Sequence, residues 1–208
     1  MKRPSFINNY FYHIFNRGVE KRKIFLDNED FRRFLFGINE FNDINSTINI
    51  LRRFNEGSPT SFRPTKKEPL VKVINYCLMP NHFHFILKQL KENGISKFLQ
   101  KIGTGYTNYF NHKNKRSGVL FQGKFKAVLV GKDNYLNYLI QYIHINPLDL
   151  IEPGWEEKGL RDYRRAKNFL KSYKWTDCND YEQYSEFLRE YSAENFIKIK
   201  DLIIEREK

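Results

Sequence analysis

Cysteine is nearly absent from this chain of 208 residues: only Cys77 and Cys178 occur. Two distant thiols exclude a disulfide-stapled fold and a cysteine-based zinc ribbon, and they fit a reducing compartment. No run of ~18 apolar residues is present, so neither a membrane-spanning helix nor a membrane partner is expected. Residues 1–10 lack the apolar stretch of a secretory signal, which makes a cytoplasmic protein the expectation. No P-loop occurs, which fits chemistry that uses no ATP. Acidic residues are scarcest in one segment: residues 71–147 hold 2 of them against 11 Lys and Arg. No internal repeat or low-complexity tract is found.

Aromatic residues, by contrast, make up 16% of the chain, with 19 Phe and 13 Tyr. That supply fills a hydrophobic core and excludes wholesale disorder. The net charge of +12 is unevenly spread: residues 1–70 carry +5, residues 71–147 carry +9 and residues 148–208 carry −2. A one-sided excess in the middle segment points to a polyanion, most simply nucleic acid. A solvated basic face without a partner is the alternative.

Residues 10–16 are aromatic and β-branched and precede Arg17-Gly18, which reads as a strand and a turn. Asp27-Asn28-Glu29-Asp30 caps a helix whose apolar positions Phe31, Phe34, Leu35, Ile38 and Phe41 recur at helical spacing. Gly57, Ser58, Pro59, Pro64 and Pro69 make 55–69 a loop. Residues 72–79 and 82–88 read as strands of one hairpin, turning at Pro80-Asn81. A helix opens at 94–96 and carries Phe98, Leu99, Ile102, Tyr106, Tyr109 and Phe110. Residues 111–118 form a basic loop, and 124–130 alternate as a fourth strand. Asp133 caps a helix over 134–146, which Pro147 ends. The order β-α-β-β-α-β predicts an α+β, ferredoxin-like (split βαβ) fold, a four-stranded antiparallel sheet with two helices on one face. Residues 1–147 form that domain. Residues 148–208 form a more acidic helical extension, with a helix expected over 191–205.

Of the five histidines, only His82 and His84 stand at i, i+2 in an expected strand. Both point to one face, with Cα atoms roughly 7 Å apart, while Phe83, Phe85 and Leu87 face the helix-covered core. Two neutral imidazoles on one face can hold a divalent cation if a third ligand comes from elsewhere. Sheet-surface histidines with ordinary hydrogen bonds are the alternative. On the last helix Tyr135, Tyr138, Tyr142 and Asn146 share a face. That helix can cross the open side of the sheet, where a Tyr can serve as nucleophile and an Asn as an oxygen ligand. For Tyr135 and Tyr138 a place in an aromatic core stripe is the better reading.

Four segments, in order, carry a resemblance: Tyr12-His13-Ile14-Phe15-Asn16-Arg17-Gly18, Leu78-Met79-Pro80-Asn81-His82-Phe83-His84, Gly118-Val119-Leu120-Phe121-Gln122-Gly123-Lys124-Phe125 and Tyr142-Ile143-His144-Ile145-Asn146-Pro147. Together they resemble the HUH-class tyrosine transposases, and among these the REP-associated tyrosine transposases. The resemblance spans about residues 10–147, with a weaker echo at 173–181. It implies a ferredoxin-like catalytic domain that cleaves and rejoins hairpin-bearing single-stranded DNA through a covalent 5′-phosphotyrosine. It assigns the nucleophile to Tyr142, not Tyr138 or Tyr135, and a Mg²⁺ or Mn²⁺ ion to His82, His84 and Asn146. Some relatives are homodimers that bring the Tyr of one subunit to the His pair of the other, so a homodimer is a further possibility to test.

DNA phosphates need cationic partners. The candidates are Lys113, Lys115 and Arg116 in the basic loop, Lys124 and Lys126 on the fourth strand, and Arg17, Lys21 and Arg22 after the first. Tyr106, Tyr109 and Phe121 are candidates for base stacking. His13 and His144 are expected beside the site, with structural hydrogen bonds the better reading. A non-catalytic RNA-recognition-type module is the competing class, but Gly123-Lys124-Phe125-Lys126-Ala127-Val128 does not meet its aromatic signature. A domesticated relative that only binds and nicks repeats is not separable from a mobile element's enzyme by sequence.

Overall fold

The structure, a computed structural model, describes residues 3–45, 67–131 and 133–178. The helix expected over 191–205 and most of the loop expected over 55–69 lie outside the described residues. In chain order the elements are β1 (Phe11–Arg17), α1 (Asn28–Phe41), β2 (Val71–Met79), β3 (His82–Gln89), α2 (Gly94–Lys113), β4 (Lys126–Val130) and α3 (Asp133–Ile145). The sheet order is β2-β3-β1-β4, with every neighbour antiparallel. This is the α+β, ferredoxin-like arrangement that the order of elements predicts.

Alternation along the strands sorts side chains between two cores. Tyr12, Ile14, Phe83, Phe85, Leu87 and Ala127 pack under α1 and α2 with Phe34, Phe98 and Ile102. On the opposite face Cys77, Met79, Ile86 and Val130 meet Leu139 and Ile143 of α3. The last helix therefore does cross the open side of the sheet.

Three boundaries differ from expectation, each for a local reason. Helix α2 runs on to Lys113, because a basic sequence costs an exposed helix end little and favours its negative pole. Strand β4 starts at Lys126 instead of 124, because Gly123 sits at φ +67 and turns the chain. Pro147 ends α3 but does not end helical winding, since Asn146–Leu150 forms a 3₁₀ turn with the proline in its first turn.

Beyond α3, two short helices follow, α4 (Trp155–Lys158) and α5 (Tyr163–Ser172). Trp155, Ala166 and Leu170 bury a third, small core against Ile145 and Leu148. Residues 173–178 are extended, not helical, and run along the free edge of β2. There Leu78 N donates to Trp175 O at 2.8 Å, and the hydroxyls of Tyr173 and Thr176 donate to the carbonyls of Leu78 and Tyr76 at 2.6 and 3.1 Å. Trp175 stacks on Phe31 with ring centroids 4.5 Å apart. An edge strand left bare would invite pairing with another chain; here it is covered.

Candidate active site

The site begins at the β2–β3 turn. Gly18 N donates to Asn81 O at 2.8 Å, and Ile24 N and Phe25 N donate to Pro80 O at 2.7 and 3.1 Å. The chain packs so closely that a Cβ on Gly18 would lie 2.2 Å from Arg22 O. This clamp fixes the start of β3, where His82 and His84 project from one face, their ring centroids 5.0 Å apart. From α3 the Tyr142 ring stands edge-on to His84, centroids 6.3 Å apart. Just past the helix end, Asn146 Oδ1 lies 3.1 Å from His82 Nε2.

Each imidazole has a second neighbour. Asn81 Oδ1 is 2.7 Å from His82 Nδ1, and His13 Nε2 is 3.0 Å from His84 Nδ1. Burial disfavours charge on all three rings. It pushes His13 down to about 3. It pushes His82 down to about 4, against the opposing hydrogen bond to Asn146 Oδ1 and with help from Arg17. His84 is held well below the ordinary range by burial, and then by His82 and His13. Near neutral pH the rings are therefore uncharged and keep the lone pairs a metal needs.

These residues fit a divalent ion. Neighbouring ligands on an octahedral ion with bonds of about 2.1 Å lie roughly 3 Å apart, and His82 Nε2 and Asn146 Oδ1 have that separation. Among the described residues no three His, Cys, Asp or Glu side chains are placed to hold a metal ion by themselves. A set that included both imidazoles would need a ligand of another kind, such as the Asn146 amide oxygen.

The sequence matches the family model of IS200-like transposases over residues 7–146. The chain belongs to this family. The matched span contains Tyr142, His82, His84 and Asn146. No curated protein matches the sequence. Among solved structures, the REP-associated tyrosine transposase bound to a REP hairpin is similar with a TM-score of 0.51 at 15% identity, over 85% of this chain and 81% of that one. That likeness is one of fold. A protein from Deinococcus radiodurans described as a transposase is similar with a TM-score of 0.39 at 11% identity, over 69% of this chain and 95% of that one.

In this IS200-like transposase the other expected residues fall in several places. Tyr135 and Tyr138 pack partly buried beside Leu139 and Ile143. Tyr106 and Tyr109 are buried, and their hydroxyls donate to Ile24 O at 2.6 Å and to Asp30 Oδ1 at 3.1 Å. Their faces are spent on the core, so they present nothing for a base to stack on. Phe121 is partly buried, edge-on to Phe83.

Among the cations, Arg17 pairs with His82 across the β1–β3 register, and its Nε donates to the Gln122 side chain. Arg22 meets Glu20 at 3.1 Å. Arg116 donates to Asn111 Oδ1 at 2.7 Å and Val119 O at 3.0 Å. Lys126 Nζ lies 5.8 Å from the centre of the Phe15 ring, and Lys21, Lys115 and Lys124 are exposed. Lys113 is placed differently: its Nζ sits 2.8–2.9 Å from carboxylates of Asp27, Glu29 and Asp30, tying α2 to the start of α1.

His144 does not join the His pair. Its Nε2 is 3.0 Å from Asp177 Oδ1 and also meets the Asn75 side chain. Among the described residues, no helix is long and apolar enough to cross a membrane.

Proposed function

We propose that this IS200-like transposase cleaves and rejoins hairpin-bearing single-stranded DNA, with Tyr142 as nucleophile and His82, His84 and Asn146 holding a Mg²⁺ or Mn²⁺ ion. The observation that carries the reading is the convergence of one phenol, two neutral imidazoles and an amide oxygen on a single sheet face. When bound, the ion supplies charge neutralisation at the scissile phosphate. Tyr142 Oη gives up its proton and attacks phosphorus in line; the bond to the 3′ oxygen breaks, and that oxygen takes up a proton. The products are a 5′-phosphotyrosine and a free 3′-OH. The phosphotyrosine conserves the broken bond's energy, so a second 3′-OH displaces the phenol without ATP.

The phosphate backbone is assigned to Arg17, Lys21, Arg22, Lys115, Arg116, Lys124 and Lys126, and Arg17 stands nearest the ion ligands by register. Lys113 is left out, because three carboxylates already hold it. A hairpin substrate is supported by the similarly folded REP-associated transposase, which is bound to a REP hairpin. The Tyr142 ring stands beside the His84 ring of its own chain, centroids 6.3 Å apart, which favours a site completed without a second copy.

The test is incubation of the full chain with labelled hairpin-bearing single-stranded DNA and Mn²⁺. A covalent adduct resistant to denaturation is expected. Tyr142→Phe should abolish it and Tyr138→Phe should not. An adduct that survives Tyr142→Phe, or that forms equally well with His82→Ala and His84→Ala, refutes the assignment.

A further inference from the structure

We infer that His13 is a positioning residue whose Nε2 accepts the Nδ1–H of His84, fixing the tautomer in which His84 turns Nε2 to the ion. This rests on the metal reading above. An imidazole ligates through one nitrogen when the other carries the proton, and the partner of that other nitrogen decides which tautomer forms. Asn81 Oδ1 fills this role for His82, 2.7 Å from its Nδ1. For His84 the atom in that place is His13 Nε2, at 3.0 Å. The register pairs His13 with Ile86 and Phe15 with His84, so His13 approaches on the diagonal. The two rings lie nearly parallel, 14° apart, with centroids 5.2 Å apart. His13 is 0% exposed, so bulk water does not compete for the contact.

A histidine acceptor behaves differently from a carbonyl. His13 accepts at Nε2 only with its own proton on Nδ1, and that buried atom has no hydrogen-bond partner among the described residues. An orphaned donor is less well tolerated than an orphaned acceptor. Without the ion, the reverse arrangement is therefore favoured: His13 donates and His84 carries its proton on Nε2. Loading the ion exchanges both tautomers. The Nε2 proton of His13 passes to His84 Nδ1, His84 Nε2 loses its proton, and His13 Nδ1 gains one, with no net change. A residue that never touches the ion thus sets how tightly it binds.

The experiment titrates the full chain with Mn²⁺ by electron paramagnetic resonance. His13→Leu, which removes the acceptor, should weaken binding ~10–100-fold. His13→Gln restores an acceptor without the orphaned proton and should bind as tightly as the parent or more tightly. In the Mg²⁺-saturated parent, ¹⁵N imidazole shifts should place the His84 proton on Nδ1; this measurement decides the matter if His13→Leu does not fold. Parent-like Mn²⁺ affinity in folded His13→Leu, or a His84 proton on Nε2 with Mg²⁺ bound, overturns the role of His13 and leaves the metal reading standing. A parent that binds no Mn²⁺, or binds it equally well with His84→Ala, removes both.

Discussion

Three neutral imidazoles packed on one sheet face make the metal-free protein acid-sensitive in a definable window. His13 and His82 have folded values of about 3 and about 4, against about 6.5 in an unfolded chain. Below 6.5 the unfolded chain binds protons that the folded chain refuses, so stability falls with pH; above 6.5 neither state is charged and nothing is lost. Each such histidine shifts the folding equilibrium nearly tenfold per pH unit until its folded value is reached. From pH 7.5 to 4.5 that is about 3 kcal/mol for each of His13 and His82, hence roughly 5 kcal/mol together. A whole domain has about 5–15 kcal/mol of stability. His84 pushes in the same direction. Asp27, held below 3.8 chiefly by its hydrogen bond to Lys113, loses its contribution only at lower pH and stays outside the window. The assay is urea denaturation in the presence of a chelator at half-unit pH steps, with His13→Gln as the control that removes one proton from the slope. A folding free energy that changes by less than about 1 kcal/mol from pH 7.5 to 4.5 would refute the claim that these rings are buried and neutral.

Other outcomes follow from single contacts. Gly18→Ala drives a methyl group against the Arg22 carbonyl, and it should cost about 2–3 kcal/mol in thermal denaturation while loosening the turn that carries His82. Lys113→Met leaves the fully buried Asp30 carboxylate without its cation; a loss of about 3 kcal/mol with unchanged DNA affinity is expected, and weakened DNA binding at full stability would return Lys113 to the phosphate contacts. Lys124→Ala should lower the slope of log affinity against log salt by about 0.7, the value for one contact to a single strand, as measured by fluorescence anisotropy.

Much of this was legible because strands alternate. The i, i+2 spacing of His82 and His84 puts both on one face whatever the partner strand, and Phe83 and Phe85 then mark the core. What alternation does not give is register. His13 shares that face, but its meeting with His84 depends on how β1 slides along β3. Lys113 shows the same limit: it stands in a basic stretch, yet its partners lie 86 residues earlier in the case of Asp27. Local composition suggested a phosphate contact, and a tertiary contact with three carboxylates decided otherwise. The extended edge cover at 173–178 was hidden for a related reason, because aromatic and Thr residues in so short a run carry no periodicity.

The placement of Tyr142 also involves that edge cover. Tyr142, His144 and Asn146 follow one another at i, i+2 and i+4, so the end of α3 and the residue after it carry the phenol, a buried histidine and the Asn146 amide within two turns. His144 lies against Asp177, 33 residues on, and Asp177 Oδ1 also accepts from Tyr76 N at 3.0 Å. One carboxylate thus fastens the helix end to β2, whose next strand bears His82 and His84. Asn75 closes the same contact from within the strand. Side-chain hydrogen bonds buried between elements set relative position more tightly than apolar packing, which tolerates sliding. Asp177, from outside residues 1–147, therefore joins Asn75 and the apolar packing of α3 in holding the helix end against the sheet. The segment at 173–178 thus packs with the sheet that carries the His pair, although the chain reaches it only after two further helices.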